Sequence, residues 1–220
     1  MKTLFKFLGL SILFLVLGAC SNKKVEENGN LTTKAVKVSF FRAIHVAGDF
    51  ILNIASGDNT QSVQITASSN IVPLISTTVS DQILRVRVKK GYTLVTKQPI
   101  VIKIALKSLR ALSAEGNTQA TAAGINAKAF ELFTSGIANI TLSGQANEVL
   151  ARISGAGTID ASNLKANDVS VNISGSGNVS VFASNRLDAK ISGSGDVVYA
   201  GNPRSISQRS TGSGRIHSQA

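Results

Sequence analysis

The strongest constraint on how this chain folds is a repeat that occupies its second half. Ser154-Gly155-Ala156-Gly157, Ser174-Gly175-Ser176-Gly177, Ser192-Gly193-Ser194-Gly195 and Thr211-Gly212-Ser213-Gly214 are copies of one motif, and weaker copies begin at Gly116 and at Ser135-Gly136. Taking the first glycine of each as a marker gives positions 116, 136, 155, 175, 193 and 212, a period of 18 to 20 residues. Four residues after the marker stand Ala120, Ile140, Ile159, Val179, Val197 and Ile216; six after it stand Ala122, Leu142, Ala161, Val181, Tyr199 and Ser218. The residues between are mostly polar, which is the alternation of a β-strand with one face buried. A second strand precedes each marker. Its inward columns are Phe130/Val149/Val169/Leu187/Ile206, Leu132/Ala151/Val171/Ala189/Gln208 and Thr134/Ile153/Ile173/Ile191/Ser210.

Each unit thus reads as strand, glycine turn, strand and a polar connection of about the length of Ala183-Ser184-Asn185-Arg186. A unit this short cannot bury its apolar face alone, whereas units stacked in register bury one continuous column. The expected architecture is an all-β solenoid of about nineteen-residue repeats over 113–220, preceded by a less regular β-rich part over 34–112. Gly155, Gly157, Gly175, Gly177, Gly193, Gly195, Gly212 and Gly214 are its corner residues, where positive φ and close approach exclude a Cβ. Gln208, Ser210 and Ser218 replace apolar residues in the last unit, as a polar terminal cap requires. In the earlier part Asn70 to Ser76 suggests one helical turn, limited in length by Pro73. No Pro/Ser/Gly-rich linker separates the two parts, so the first is expected to begin the same β structure.

The opening residues give an address rather than a fold. Lys2 and Lys6 precede an apolar run from Phe7 to Leu17 and then Leu17-Gly18-Ala19-Cys20. The run is too short to span a bilayer, which takes roughly 20 apolar residues, and the layout is that of a secretory signal. Leu-Gly-Ala-Cys resembles the bacterial lipobox, which implies cleavage between Ala19 and Cys20 and acylation of Cys20. Ser21 after the cysteine implies transfer to an outer membrane. Residues 1–19 are then the signal peptide, and 20–33 a lipidated, flexible tether holding the domain off the membrane. Cleavage removes two lysines and no acid, leaving 21 basic and 12 acidic residues, a net of +9.

Further segments resemble the putative auto-transporter adhesin, head GIN-domain family of bacterial envelope proteins. They are Phe41-Arg42-Ala43-Ile44-His45-Val46, Leu84-Arg85-Val86, Leu109 to Leu112 and the repeated Ser-Gly-Ser-Gly. Ile191-Ser192-Gly193-Ser194-Gly195-Asp196-Val197-Val198-Tyr199-Ala200-Gly201-Asn202-Pro203 looks like that family's closing signature. The resemblance covers about residues 38–218 and implies a right-handed β-helical fold, an envelope location and adhesion, with no catalytic residue. Gly116-Asn117-Thr118 and Gly136-Ile137-Ala138 depart from the Ser-Gly-x-Gly form, which predicts first turns of a different shape.

Several chemistries fail on spacing. One cysteine and two histidines, His45 and His217, do not make a Cys/His zinc site or a disulfide framework. Calcium-binding glycine repeats need an aspartate where Ile159, Val179, Val197 and Ile216 stand, and phosphate loops need a helix after their glycines. No cofactor or metal is expected. Both histidines fall on outward phases without a triad pattern. Asp160, Asp168, Asp188 and Asp196 read as singly scattered, which leaves a polysaccharide lyase or glycosidase as the enzyme alternative.

The outward phase Phe133, Arg152, Asn172, Lys190, Arg209 aligns three cations, Arg152, Lys190 and Arg209, on one face. Such a stripe suits lipopolysaccharide phosphates or an anionic glycan; equally, charges on solvent-facing strands keep a sheet soluble. Six Phe, two Tyr and no Trp after the signal argue against a nucleic-acid stacking platform. The reading is a non-enzymatic, lipid-anchored envelope protein. A periplasmic accessory domain binding another envelope protein by strand addition is the other alternative.

Overall fold

The computed structural model describes residues 22–219, so the expected signal peptide with Ala19, and the acceptor Cys20, lie outside the described residues. The described chain is all-β. In order it forms β1 (Lys23–Glu26), β2 (Leu31–Val36), β3 (Ala43–Ala47), β4 (Phe50–Ser56), β5 (Ser62–Ser68), β6 (Ile75–Ser80), β7 (Ile83–Val88), β8 (Tyr92–Val95), β9 (Val101–Leu106), β10 (Ala111–Gly175), β11 (Asn178–Gly193), β12 (Val197–Ala200), β13 (Ser205–Gly212) and β14 (Ile216–Ser218). The helical turn expected near Asn70 is a 3-10 turn over Val72–Leu74 with Pro73 inside it. No helix among the described residues is long and apolar enough to cross a membrane.

The 65 residues of β10 would extend about 215 Å if straight, at ~3.3 Å per residue. They turn instead, at positive-φ glycines that include Gly116, Gly136, Gly155 and Gly157. Parallel pairing then joins the columns expected from the repeat. Ile159 pairs with Val179, Val179 with Val197 and Val197 with Ile216; Val169 pairs with Leu187 and Leu187 with Ile206. The side chains of these columns are buried until the last rung, where Ile206 is 44% exposed and every residue of β13 faces solvent.

The earlier part belongs to the same structure. β3 lies parallel to both β7 and β10, with Ile44 opposite Leu84 and Leu112, and β4 lies parallel to both β9 and β10, with Leu52 opposite Ile102 and Ala120. Antiparallel strands finish this end, β6 on β7 and β2–β5 on β9. These strands form one connected sheet that does not close into a barrel, over one core running from Phe41 to Val197.

Two expectations are corrected. Half of the residues read as a flexible tether, 23–26 and 31–33, are strand: β1 pairs with β8, and β2 begins at Leu31 on β5. Their polar composition hid this, because β1 and β2 are exposed strands held mainly by backbone pairing. The connection written as polar also contributes to the core. Ala183 is fully buried opposite Ala166, and Leu164 is buried beside them. The register shifts between Ala161 and Lys165, and between Ala166 and Asp168, interrupt the two-residue alternation that makes a strand legible.

Candidate functional site

The three cations of the predicted stripe line one groove of about 590 Å³, with Ser154, Asn172, Ser174, Ser192 and Thr211. The groove follows from the repeat. Inward Ile153, Ile173 and Ile191 fix the phase of the strand that precedes each glycine marker, so the residues on either side of them point outward. Ladder pairing sets Asn172 against Lys190 and Lys190 against Arg209, and likewise Ser174 against Ser192 and Ser192 against Thr211. Arg152 and Ser154 stand at the same phases one rung earlier. A row of cations and one amide therefore runs beside a row of hydroxyls, with a rung spacing of ~4.8 Å.

The glycine turns hold the rungs this close. A Cβ on Gly155 would overlap the carbonyl oxygen of Gly136, and one on Gly175 that of Gly155. The same relation continues through Gly193 and Gly212, all at φ between 131° and 147°. Gly116 and Gly136, at φ of 90° and 108°, make the differently shaped first turns expected of their sequences. Among the second glycines Gly157 has φ 117°, whereas Gly177, Gly195 and Gly214 lack the expected positive φ and act by close approach alone, as where a Cβ on Gly195 would overlap Gly177.

Local partners shape the cations. The Arg152 guanidinium carbon lies 5.2 Å from the centre of the Phe133 ring, an arrangement that orients the charge without neutralising it. Lys190 Nζ is 3.4 Å from Asp188 Oδ2, so its charge is partly balanced. Arg209, on exposed β13, carries the least constrained of the three charges. Thr211 donates to the Ile191 carbonyl at 3.3 Å, whereas Ser154, Ser174 and Ser192 are exposed.

Of the acids read as singly scattered, Asp168 and Asp188 share a groove, whereas Asp160 and Asp196 lie outside it. Glu131, Glu148, Asp168 and Asp188 line this second groove, of about 430 Å³, with Arg186. The signal lay in their phase: Glu148 and Asp168 stand seven residues before a marker, Glu131 and Asp188 five before. Asp168 accepts from Asn185 Nδ2 at 2.7 Å, and Oδ1 of Asp188 is buried without a partner. His45 and His217 are on the outward phases expected of them, His45 with Nε2 3.8 Å from Glu115. Among the described residues no group of three or more His, Cys, Asp or Glu is arranged to hold a metal.

A family model described as putative auto-transporter adhesin, head GIN domain, matches residues 40–203. Among solved structures the chain is similar to a putative adhesin from Bacteroides fragilis NCTC 9343, with 24% identity and a TM-score of 0.72, covering 89% of this chain and 100% of that one. A putative lipid binding protein from Parabacteroides distasonis ATCC 8503 has 23% identity and a TM-score of 0.56, covering 90% of this chain and 100% of that one. A putative adhesin from Parabacteroides merdae ATCC 43184 has 19% identity and a TM-score of 0.53, covering 91% of this chain and 100% of that one. These likenesses show a shared fold. No curated protein matches the chain.

Proposed function

The chain belongs to the putative auto-transporter adhesin, head GIN-domain family, and from that membership we propose a non-enzymatic adhesin anchored to the outer membrane through acylated Cys20. Its repeat is a right-handed β-solenoid, and its adhesive contact is the cationic groove. The ligand is an anionic envelope polymer, either an acidic glycan or the phosphate-bearing face of lipopolysaccharide. The single observation that carries this reading is the alignment of Arg152, Lys190 and Arg209 along one groove beside a row of hydroxyls. Cations offer charge-assisted bonds to carboxylate or phosphate, and hydroxyls bond to sugar oxygens.

The contact is tested by binding to polygalacturonate and to lipopolysaccharide across a salt series. Affinity is expected to fall with ionic strength. The Arg152/Lys190/Arg209→Ala variant is expected to lose about tenfold or more, at up to ~1 kcal/mol for each exposed ionic contact. Binding unchanged by the three substitutions leaves the cations with a solubility role only. The anchor is tested separately by metabolic labelling with a palmitate analogue, expected in the wild type and lost in Cys20→Ser.

A further inference from the structure

The correction to the tether has a spatial consequence. β1 starts at Lys23, so only Ser21 and Asn22 separate it from Cys20. Three Cα steps of 3.8 Å reach at most about 11 Å. With acyl chains on Cys20, the Lys23 end of the β1–β8 ribbon has to lie within that distance of the membrane surface.

The ribbon's chemistry suits that position. Lys23 and Lys24 are exposed on β1, and Lys89 and Lys90 are exposed where the chain enters β8. The Lys23 N–H donates to the Gly91 carbonyl at 2.7 Å, which brings the two lysine pairs to one end of the ribbon. Nearby acids offset little of this charge. Glu26 meets Lys24 at 3.5 Å, while the Glu27 carboxylate is occupied by the backbone N–H groups of Lys97 and Gln98 and the Ser68 hydroxyl. Val95 is 37% exposed and Tyr92 half-buried, a mixture of apolar and amphipathic side chains suited to the headgroup layer. Val25 and Leu94 pack on the core and hold the ribbon to the domain.

We propose that the β1–β8 ribbon is a membrane-docking surface that lays the domain against anionic headgroups through Lys23, Lys24, Lys89 and Lys90. The proposal rests on the anchor reading for its location but not for its chemistry. The cationic groove belongs to the last rungs, ending at β13, and so is formed by a different part of the chain from the docked ribbon.

Two measurements separate docking from anchoring. The mature chain carrying Cys20→Ser, which cannot be acylated, is expected to co-sediment with phosphatidylcholine vesicles containing phosphatidylglycerol and not with phosphatidylcholine alone. Replacing the four lysines with Gln is expected to lower partitioning by about fivefold per lysine; the variant's circular dichroism checks that it is folded. In acylated protein, the only cysteine of the chain is modified, so Thr93→Cys on β8 or Ser207→Cys on β13 offers a unique free thiol for a fluorophore. Brominated lipid is expected to quench the label at 93 several-fold more than at 207. Equal partitioning of the lysine variant, or equal quenching at the two sites, overturns the proposal. Absence of palmitate labelling in the wild type, with lysine-dependent vesicle binding intact, overturns the anchor alone.

Discussion

At the scale of single residues, the glycine of each turn is the least replaceable position. Gly155 sits at φ 141° with the Gly136 carbonyl where its Cβ would be, so a substitution meets both backbone strain and main-chain overlap. Neither can be relieved by rotating a side chain. Gly155→Ala is expected to destabilise by about 3 kcal/mol, read as a shift in the denaturation midpoint. Ser154→Ala, an exposed neighbour, should stay within ~0.5 kcal/mol. These glycines were legible because their spacing is regular, and so were the inward columns, since every residue from Ile159 through Val179 to Val197 keeps one phase. The carboxylates were not legible. Glu131, Glu148, Asp168 and Asp188 share a groove without sharing a column, because two outward rows contribute to it.

At the scale of elements, what the sequence concealed is the ribbon of β1 and β8. A strand is readable when one face is buried; Lys23-Lys24-Val25-Glu26 buries little and is held by pairing to a segment nearly seventy residues away. Glu27 fastens its end, accepting from Lys97 N–H at 2.8 Å and from the Ser68 hydroxyl at 3.1 Å. Loss of solvent pushes the carboxyl's pKa up, but the hydrogen bonds from Lys97, Ser68 and Gln98 and the charge of Lys97 outweigh this and leave it lowered. A carboxyl lowered in the folded state stabilises above the ordinary carboxylate range, and that contribution is lost as pH falls through the lowered value. Hydrogen exchange at β1 and β8 should therefore speed up relative to the core under acid, and Glu27→Gln should speed it already at neutral pH. Exchange there that is insensitive to both changes would mean the carboxylate does not hold the ribbon.

At the scale of the whole molecule, Thr158 and Asn178 are ladder partners one period apart, so deleting residues 158–177 joins Gly157 to the residue that replaces Thr158 in register. A solenoid should accept the loss with its β-sheet circular dichroism kept and its melting temperature lowered, since each rung contacts only its neighbours. Deleting residues 158–166 instead brings the wrong phase into the ladder, turns buried residues outward and should abolish folding. The cationic row adds a property that no single rung has. The outward positions next to it, about 6.6 Å along each strand, hold Leu150, Ser170, Asp188 and Ser207, so only one rung sets an acid beside a cation. The rungs of the cationic groove are therefore not interchangeable: Arg152 lies over Phe133, Asn172 carries no charge, Lys190 is partly balanced by Asp188, and Arg209 stands on exposed β13. A polymer of the proposed kind would meet unequal registers, with the ladder partners Lys190 and Arg209 at the β13 end, and would be held in one alignment rather than slide.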